Sequence, residues 1–108
     1  MSKYKNIKKV VDGITFHSKK EAERYIVLKL LERTGKISNL ILQPKFEIIP
    51  KRIRNDGKTT RAAYYIADFQ YIKDGEIIVE DVKGFKTEIY KLKKKLFEYV
   101  CNIDILET

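Results

Sequence analysis

The chain has 108 residues, 44% of them hydrophobic and 35% charged, which is the composition of one globular domain. Its formal net charge of +8 favours a polyanionic partner, with nucleic acid ahead of an anionic membrane surface. One cysteine excludes an internal disulfide and a cysteine-based zinc cluster, and one histidine leaves carboxylates as the ligands for any metal, hence Mg²⁺ or Mn²⁺. Because neither a membrane-spanning run nor a signal peptide is apparent, we expect a cytoplasmic protein.

Two segments have the pattern of helices. The first runs from about Ser18 to Thr34 and stops before Gly35, and its apolar residues are spread around the helix, which predicts contacts on more than one side. The second runs from about Thr87 to Val100. Its apolar residues are expected to share one face: Ile89, Leu92, Leu96, Phe97, Tyr99 and Val100.

Sequence typical of β-strands lies between and around these helices. Predicted strands run from Phe46 to Ile49, from Thr60 to Tyr71 and from Glu76 to Lys83, with a short last strand from Ile103 to Leu106. The stretch from Val10 to Phe16 predicts either a small hairpin or one extended piece. We expect one domain over residues 1–108, with residues 1–9 as a flexible basic tail. Its fold class is α+β (α/β/α), a mixed central sheet with an antiparallel meander flanked by helices, whose last strand can pair in parallel.

Charged residues occur inside two of the apolar strands. Asp68 lies between Ala67 and Phe69, while Asp81 and Lys83 are two residues apart and therefore share one face of their strand. A hairpin at Asp74-Gly75 would bring the two aspartates side by side. Two adjacent carboxylates repel each other unless a cation lies between them, and a Mg²⁺ ion with a neighbouring lysine is the constellation that hydrolyses a phosphodiester.

These residues resemble the motif of the PD-(D/E)xK nuclease superfamily, with Asp68 followed by Asp81-Val82-Lys83. The stretch from Ser18 to Tyr25 resembles the first helix of the Holliday-junction-resolvase-like branch, which places Glu21 at the matching glutamate. Ala67 stands where the superfamily has its proline. The chain also resembles a family of short phage and prophage proteins in four stretches, namely Phe16 to Ala22, Leu42 to Pro44, Ala67 to Phe69 and Val79 to Gly84.

The resemblance implies a restriction-endonuclease-like fold and a Mg²⁺- or Mn²⁺-dependent DNA endonuclease, acting in recombination, repair or branched-DNA (Holliday junction) processing in a bacterial host. Its implied metal ligands are Glu21, Asp68, Asp81 and the backbone carbonyl of Val82, and Lys83 would serve the attacking water. Gln43 and Glu80 are further candidates for contacts with the metal or its bound water.

Basic residues form two groups that predict contacts with DNA phosphates. One group surrounds the Asp56-Gly57 turn and the other lies on the second helix: Lys51, Arg52, Arg54 and Lys58, then Lys91, Lys93 and Lys94. Lys93 is also open to another interpretation, in which it extends past the edge of the core. A body of this size suggests a homodimer that cuts both strands.

Each of these interpretations has a simpler alternative. Glu21 lies three residues after Ser18 and could close a capping box, and Asp81 with Lys83 could form an ordinary ion pair. A shift of one residue in strand register would make Glu80 the ligand in place of Asp81. The whole protein could also be a catalytically inactive nuclease-fold protein that binds DNA or acts as an adaptor.

Overall fold

A computed structural model describes residues 8–84 and 86–108. Residues 1–7 of the predicted basic tail therefore lie outside the described part, whereas Lys9 already belongs to the first strand. An N-terminal hairpin is formed by β1 (Lys9–Val11) and β2 (Ile14–Phe16), so the hairpin alternative for this stretch is confirmed. Its turn residues Asp12 and Gly13 have φ angles of 52° and 75°, as a type I′ turn requires.

Both helices begin and end within one residue of their predicted bounds, because their caps are encoded locally. Helix α1 (Lys19–Arg33) follows Ser18, whose side chain accepts a hydrogen bond from the Glu21 N–H at 3.1 Å. Helix α2 (Glu88–Cys101) follows Thr87, which caps the Tyr90 N–H at 3.0 Å, and it ends at Asn102 in the left-handed conformation.

The central sheet has four strands in the order β10-β9-β8-β3. Strands β3 (Ser38–Leu42), β8 (Phe69–Lys73) and β9 (Glu76–Asp81) pair antiparallel, and β10 (Ile105–Glu107) pairs with β9 in parallel. The predicted α+β class with a mixed sheet is confirmed. Strand β3 was not predicted, because Asn39 with a φ of 54° interrupts the alternation there and shifts the register.

The prediction of one strand from Thr60 to Tyr71 is wrong. This stretch contains β6 (Thr59–Thr60), β7 (Ala63–Ile66) and then β8, which pair with β5 (Arg52–Ile53), β4 (Lys45–Ile49) and β3 respectively. The three-strand meander is therefore replaced by a longer hairpin that bends away from the sheet. We call residues 45–66 the arm.

The arm leaves the sheet at a bend made by two facing pairs of residues. Gln43, with a φ of 49°, donates its N–H to the Asp68 carbonyl at 2.9 Å, and Ala67 donates its N–H to the Pro44 carbonyl at 3.1 Å. Backbone hydrogen bonds thus continue across the bend while the strands change direction. Asp68 is held at the point where the arm joins the sheet.

Helices α1 and α2 cover opposite faces of the central sheet. Ile78 and Val82 pack into the cluster formed by α1, whereas Val79 packs against Phe97 of α2 and Ile105. Because neighbouring side chains of a strand point to opposite faces, these contacts separate the two helices. None of the helices in the described part of the chain is long and apolar enough to cross a membrane.

The helices bury less apolar surface than their sequences indicate. Buried side chains on α1 are Glu21, Ala22, Tyr25 and Leu28, and the prediction of contacts on further sides is wrong, since Ile26, Val27 and Leu30 are exposed. On α2 only Phe97 is buried, and most of the apolar face that the pattern predicts faces outward. Its exposed members are Ile89, Leu92, Tyr99 and Val100.

Candidate active site

Asp68 and Asp81 meet where strands β8 and β9 diverge from their shared hairpin. Phe69 pairs with Glu80 in the ladder, and one step further the Asp68 N–H donates to Asp81 Oδ1 at 3.0 Å. In the other direction, the Val82 N–H donates to Asp68 Oδ2 at 2.7 Å. The structure thus brings the two carboxylates side by side, each fixed by the backbone of the other strand.

Asp81 is fully buried and its charge is compensated from two sides. The Tyr65 hydroxyl donates a hydrogen bond to Oδ2, and the Lys83 ammonium lies 4.0 Å from Oδ1. Lys83 is partly exposed and its ammonium also lies 4.8 Å from the centre of the Tyr90 ring. The lysine therefore has access to solvent on one side and to the aspartate pair on the other.

Glu21 is a buried carboxylate in the first turn of α1, with 6% of its surface exposed. Burial raises the pKa of Glu21, its neighbours His17 and Lys83 lower it, and the charge of Asp81 raises it. Its backbone takes part in the Ser18 cap, while its side chain is near enough to feel the charges of the site. The Ser18 cap uses the Glu21 backbone N–H, and a role for the Glu21 carboxylate in the site stays a prediction.

The half-buried Asp68 carboxyl group is the most strongly perturbed acid of the site. Burial, together with the negative charges of Glu21 and Asp81, raises its pKa to about 6, against the opposing effects of the Val82 N–H and Lys83. The Lys83 ammonium lies 4.0 Å from Asp81 Oδ1 and lowers the pKa values of Asp68 and Glu21, while repulsion from the neighbouring carboxylates raises them. This repulsion is what a bound cation would relieve.

The donor chemistry of this site suits Mg²⁺ or Mn²⁺, which prefer carboxylate oxygen. Within residues 8–84 and 86–108, no three His, Cys, Asp or Glu side chains form a group that could hold a metal ion. Each oxygen of Asp81 accepts one hydrogen bond, and a carboxylate oxygen has two lone pairs, so capacity for a cation remains. Glu21, Asp68 and Asp81 fit a hard cation by chemistry, and ligation requires them to converge further.

Glu80 is directed to the opposite face of the sheet from Asp81. It is fully buried, and Arg24 of α1 donates to both of its oxygens at 2.6 and 2.9 Å. The Tyr71 hydroxyl at 2.7 Å and the Thr108 hydroxyl at 3.0 Å complete its hydrogen bonds. The strand register therefore favours Asp81 over Glu80 as the ligand, and Glu80 joins the sheet to α1.

Two other predicted site residues contact Asp68 through their backbones. Gln43 is exposed and its N–H binds the Asp68 carbonyl, so it positions the turn that carries the aspartate. Val82 donates its N–H to the Asp68 carboxylate. Metal ligation by the Val82 carbonyl and water contacts by the Gln43 side chain stay predictions.

The basic residues lie on two separate elements. Lys51, Arg52, Arg54 and Lys58 occupy the far end of the arm, where residues 50–61 are all exposed. On α2, Lys91 pairs with Glu88 and Lys94 pairs with Glu107, both at 3.3 Å, and Lys93 is exposed.

Sequence reasoning missed the hydroxyl groups of Tyr65 and Tyr90 as parts of the site. Both belong to the apolar cluster under α2, yet Tyr65 donates to Asp81 and Tyr90 donates to Glu107 at 2.7 Å. A tyrosine in an apolar stretch predicts that its buried hydroxyl has a hydrogen-bond partner. The sequence does not show which residue that partner is, because this depends on the fold.

Comparisons with known proteins bear on this chain at the family level. No match was found among curated proteins or among solved structures. The profile of the family described as "Protein of unknown function (DUF1064)" matches residues 1–105. Since that match spans nearly the whole chain, the protein belongs to this family.

Proposed function

We propose that the protein is a Mg²⁺- or Mn²⁺-dependent endonuclease of the PD-(D/E)xK superfamily that hydrolyses phosphodiester bonds in DNA. The observation that carries this proposal is the pairing of Asp68 and Asp81 across two strand ends, with the Lys83 ammonium 4.0 Å from Asp81. Buried carboxylates are costly to place together without function or compensation. The surplus of 8 positive charges supports DNA as the partner.

Each residue of the site has a distinct role in this proposal. Glu21, Asp68 and Asp81 would hold the metal ion, with the Val82 carbonyl as a further ligand. A bound divalent cation supplies a water of lowered pKa and neutralises charge on the phosphate. Lys83 orients the attacking water and stabilises negative charge on the phosphate in the transition state. Tyr65 holds the Asp81 carboxylate in place.

The proposed setting is phage or prophage DNA recombination, repair or branched-DNA processing in the cytoplasm of a bacterial host, which rests on the family resemblance alone. A homodimer is the proposed assembly, since residues 8–84 and 86–108 form one such site and cutting a duplex needs two cleavage events. A single monomeric mass at micromolar concentration, with and without DNA, would contradict this assembly.

The test is cleavage of plasmid, single-stranded and four-way-junction DNA in Mg²⁺ or Mn²⁺. We expect Asp68→Asn and Lys83→Ala each to lower the cleavage rate by more than 100-fold, because each removes a group that acts on the reacting atoms. The matched controls are Glu76→Gln and Lys73→Ala, which change the same charges in the exposed hairpin turn. Cleavage that persists in each of the two site variants, or wild-type protein that cleaves in neither Mg²⁺ nor Mn²⁺, would overturn the proposal.

A nuclease-fold DNA-binding protein without turnover is the second candidate. It is favoured by the finding that the Asp81 charge already has partners in the Tyr65 hydroxyl and the Lys83 ammonium, so a metal is not required to compensate it. Titration calorimetry with Mg²⁺ and Mn²⁺ separates the two. Salt-sensitive DNA binding without metal binding would establish this second function.

A further inference from the structure

The arm is a two-stranded ribbon with a packed base and an exposed end. At its base, Phe46 and Tyr65 pack on Phe97 of α2, with ring centres 4.8 and 5.0 Å apart, and Ile48 is buried. Beyond this base, residues 50–61 are all exposed. We call these twelve residues the distal arm; they have no core of their own.

The distal arm is strongly basic. It contains five cations, Lys51, Arg52, Arg54, Lys58 and Arg61, against one acid, Asp56. Asp56 serves the turn, since it accepts the Lys58 N–H at 3.0 Å and lies 3.8 Å from the Arg54 guanidinium. This concentration of positive charge on an exposed ribbon attracts an anionic partner.

Both faces of the ribbon carry cations. The ladder pairs Arg52 with Thr60 and Ile53 with Thr59. Alternation places Arg52 and Ile53, the two residues of β5, on opposite faces. Continued by one residue at each end, it places Arg54 with Arg52 and Lys51 with Ile53, and the Arg54 N–H still bonds across the ribbon to the Lys58 carbonyl at 2.7 Å. A flat anionic surface would satisfy one face only, whereas the two phosphate walls of a DNA groove can satisfy both.

Ile53 is the apolar exception at the tip. It is 72% exposed and lies between two arginines. An aliphatic side chain flanked by phosphate-binding groups is the arrangement with which DNA-bending proteins insert a wedge between base pairs. At 72% exposure Ile53 adds little burial energy to the free protein, so its side chain is available to a partner.

We propose that the distal arm lies in a groove of duplex DNA and that Ile53 inserts between adjacent base pairs and unstacks them. The arginines and lysines on both faces contact the phosphates and position the tip. This inference rests on the proposed function, which names DNA as the ligand. It adds that the protein binds a duplex in which neighbouring base pairs are locally unstacked. The arm joins the sheet at Asp68, so the element that would unstack the DNA is connected directly to the candidate site.

The test uses the full chain in EDTA, which prevents metal-dependent cleavage, and a duplex labelled with 2-aminopurine, whose fluorescence increases when its neighbours unstack. We expect the wild-type protein to raise the fluorescence at least twofold at saturation. Ile53→Ser should lose most of this rise while its Kd increases less than about fivefold, since phosphate contacts supply most of the affinity. Ile77→Ser, which changes a 50% exposed isoleucine on the sheet, should behave as the wild type.

A second variant separates the phosphate contacts from the wedge. Arg52→Gln combined with Arg54→Gln should weaken binding at least tenfold and lower the slope of log Kd against log salt by about two. Absence of DNA binding, or a fluorescence rise equal in the wild type and Ile53→Ser, would overturn the inference. Unstacking that depends on Ile53, without cleavage in Mg²⁺ and without cleavage in Mn²⁺, would uphold it and refute only the nuclease.

Discussion

Tyr65 in the arm donates its hydroxyl to the carboxylate of Asp81 at the end of β9, and both side chains are buried. The hydrogen bond joins the base of the arm to the candidate site across α2's side of the sheet. Burial, and then the hydrogen bond to the Asp81 carboxylate, raise the pKa of Tyr65, so this hydroxyl stays protonated and remains a donor at physiological pH.

Removing this hydroxyl should destabilise the metal-free protein. We predict that Tyr65→Phe lowers the free energy of unfolding by about 1–3 kcal/mol, because a buried carboxylate oxygen loses its partner. Urea denaturation of the two proteins in EDTA measures this difference in the free energy of unfolding. Tyr64→Phe is the control, since Tyr64 is 39% exposed and its ring can keep its contact with Lys45. Equal effects of the two variants would show that the Tyr65 hydroxyl does not support Asp81.

The raised pKa of Asp68 predicts a pH-dependent stability. Its pKa is about 6 in the folded protein and 3.8 in the reference state, so the folded state binds more protons between these values and stability falls as pH rises through that window. Asp68→Asn removes the charge. We predict that this variant has the higher melting temperature above pH 6 in EDTA, and that the difference disappears below about pH 4.

Melting curves from pH 3.5 to 8 test this dependence, with Glu76→Gln as the control because it removes an exposed carboxylate from the hairpin turn. Addition of Mg²⁺ at pH 7.5 should then raise the melting temperature of the wild type and leave Asp68→Asn unchanged. If Asp68→Asn is less stable than the wild type at every pH from 3.5 to 8, the Asp68 charge is not repelled by Glu21 and Asp81 as inferred.

The buried pair of Arg24 and Glu80 predicts a structural effect that is independent of catalysis. Arg24→Ala should cost about 3–5 kcal/mol of unfolding free energy, because it leaves the Glu80 charge buried with only hydroxyl partners. Arg24→Met combined with Glu80→Met should recover most of the loss. If the folded double variant retains cleavage, Glu80 is excluded as a metal ligand. If the double variant is folded but no longer cleaves DNA, Glu80 becomes a candidate ligand again.

Local signals in the sequence predicted the elements whose boundaries are set within a few residues. Ser18 and Thr87 cap the helices, and Asp74 and Gly75 adopt positive φ angles of 52° and 78° in the hairpin that pairs β8 with β9. The same hairpin made the pairing of the two aspartates predictable. These features depend on backbone geometry that particular residue types favour.

Features that depend on distant parts of the chain could not be predicted. From Thr60 to Tyr71 the sequence pattern predicts one continuous strand, and the break before Phe69 lies opposite Gln43 and Pro44 on the facing strand. The partners of the buried acids could not be predicted for the same reason, since Arg24 and Glu80 are 56 residues apart in the sequence. Neither contact leaves a periodic signal in the sequence.

The lysines of α2 provide a separate prediction about how DNA is held. If Lys91, Lys93 and Lys94 contact phosphates, changing all three to Gln should lower the salt slope of DNA binding by about 2.7, because each contact releases about 0.9 counterions. Fluorescence anisotropy from 50 to 200 mM salt in EDTA measures the slope. The control changes three exposed lysines on other elements, Lys19, Lys36 and Lys73, to Gln. Equal slopes for the two triple variants would show that α2 attracts DNA only through net charge, and would leave the arm as the specific phosphate-binding element.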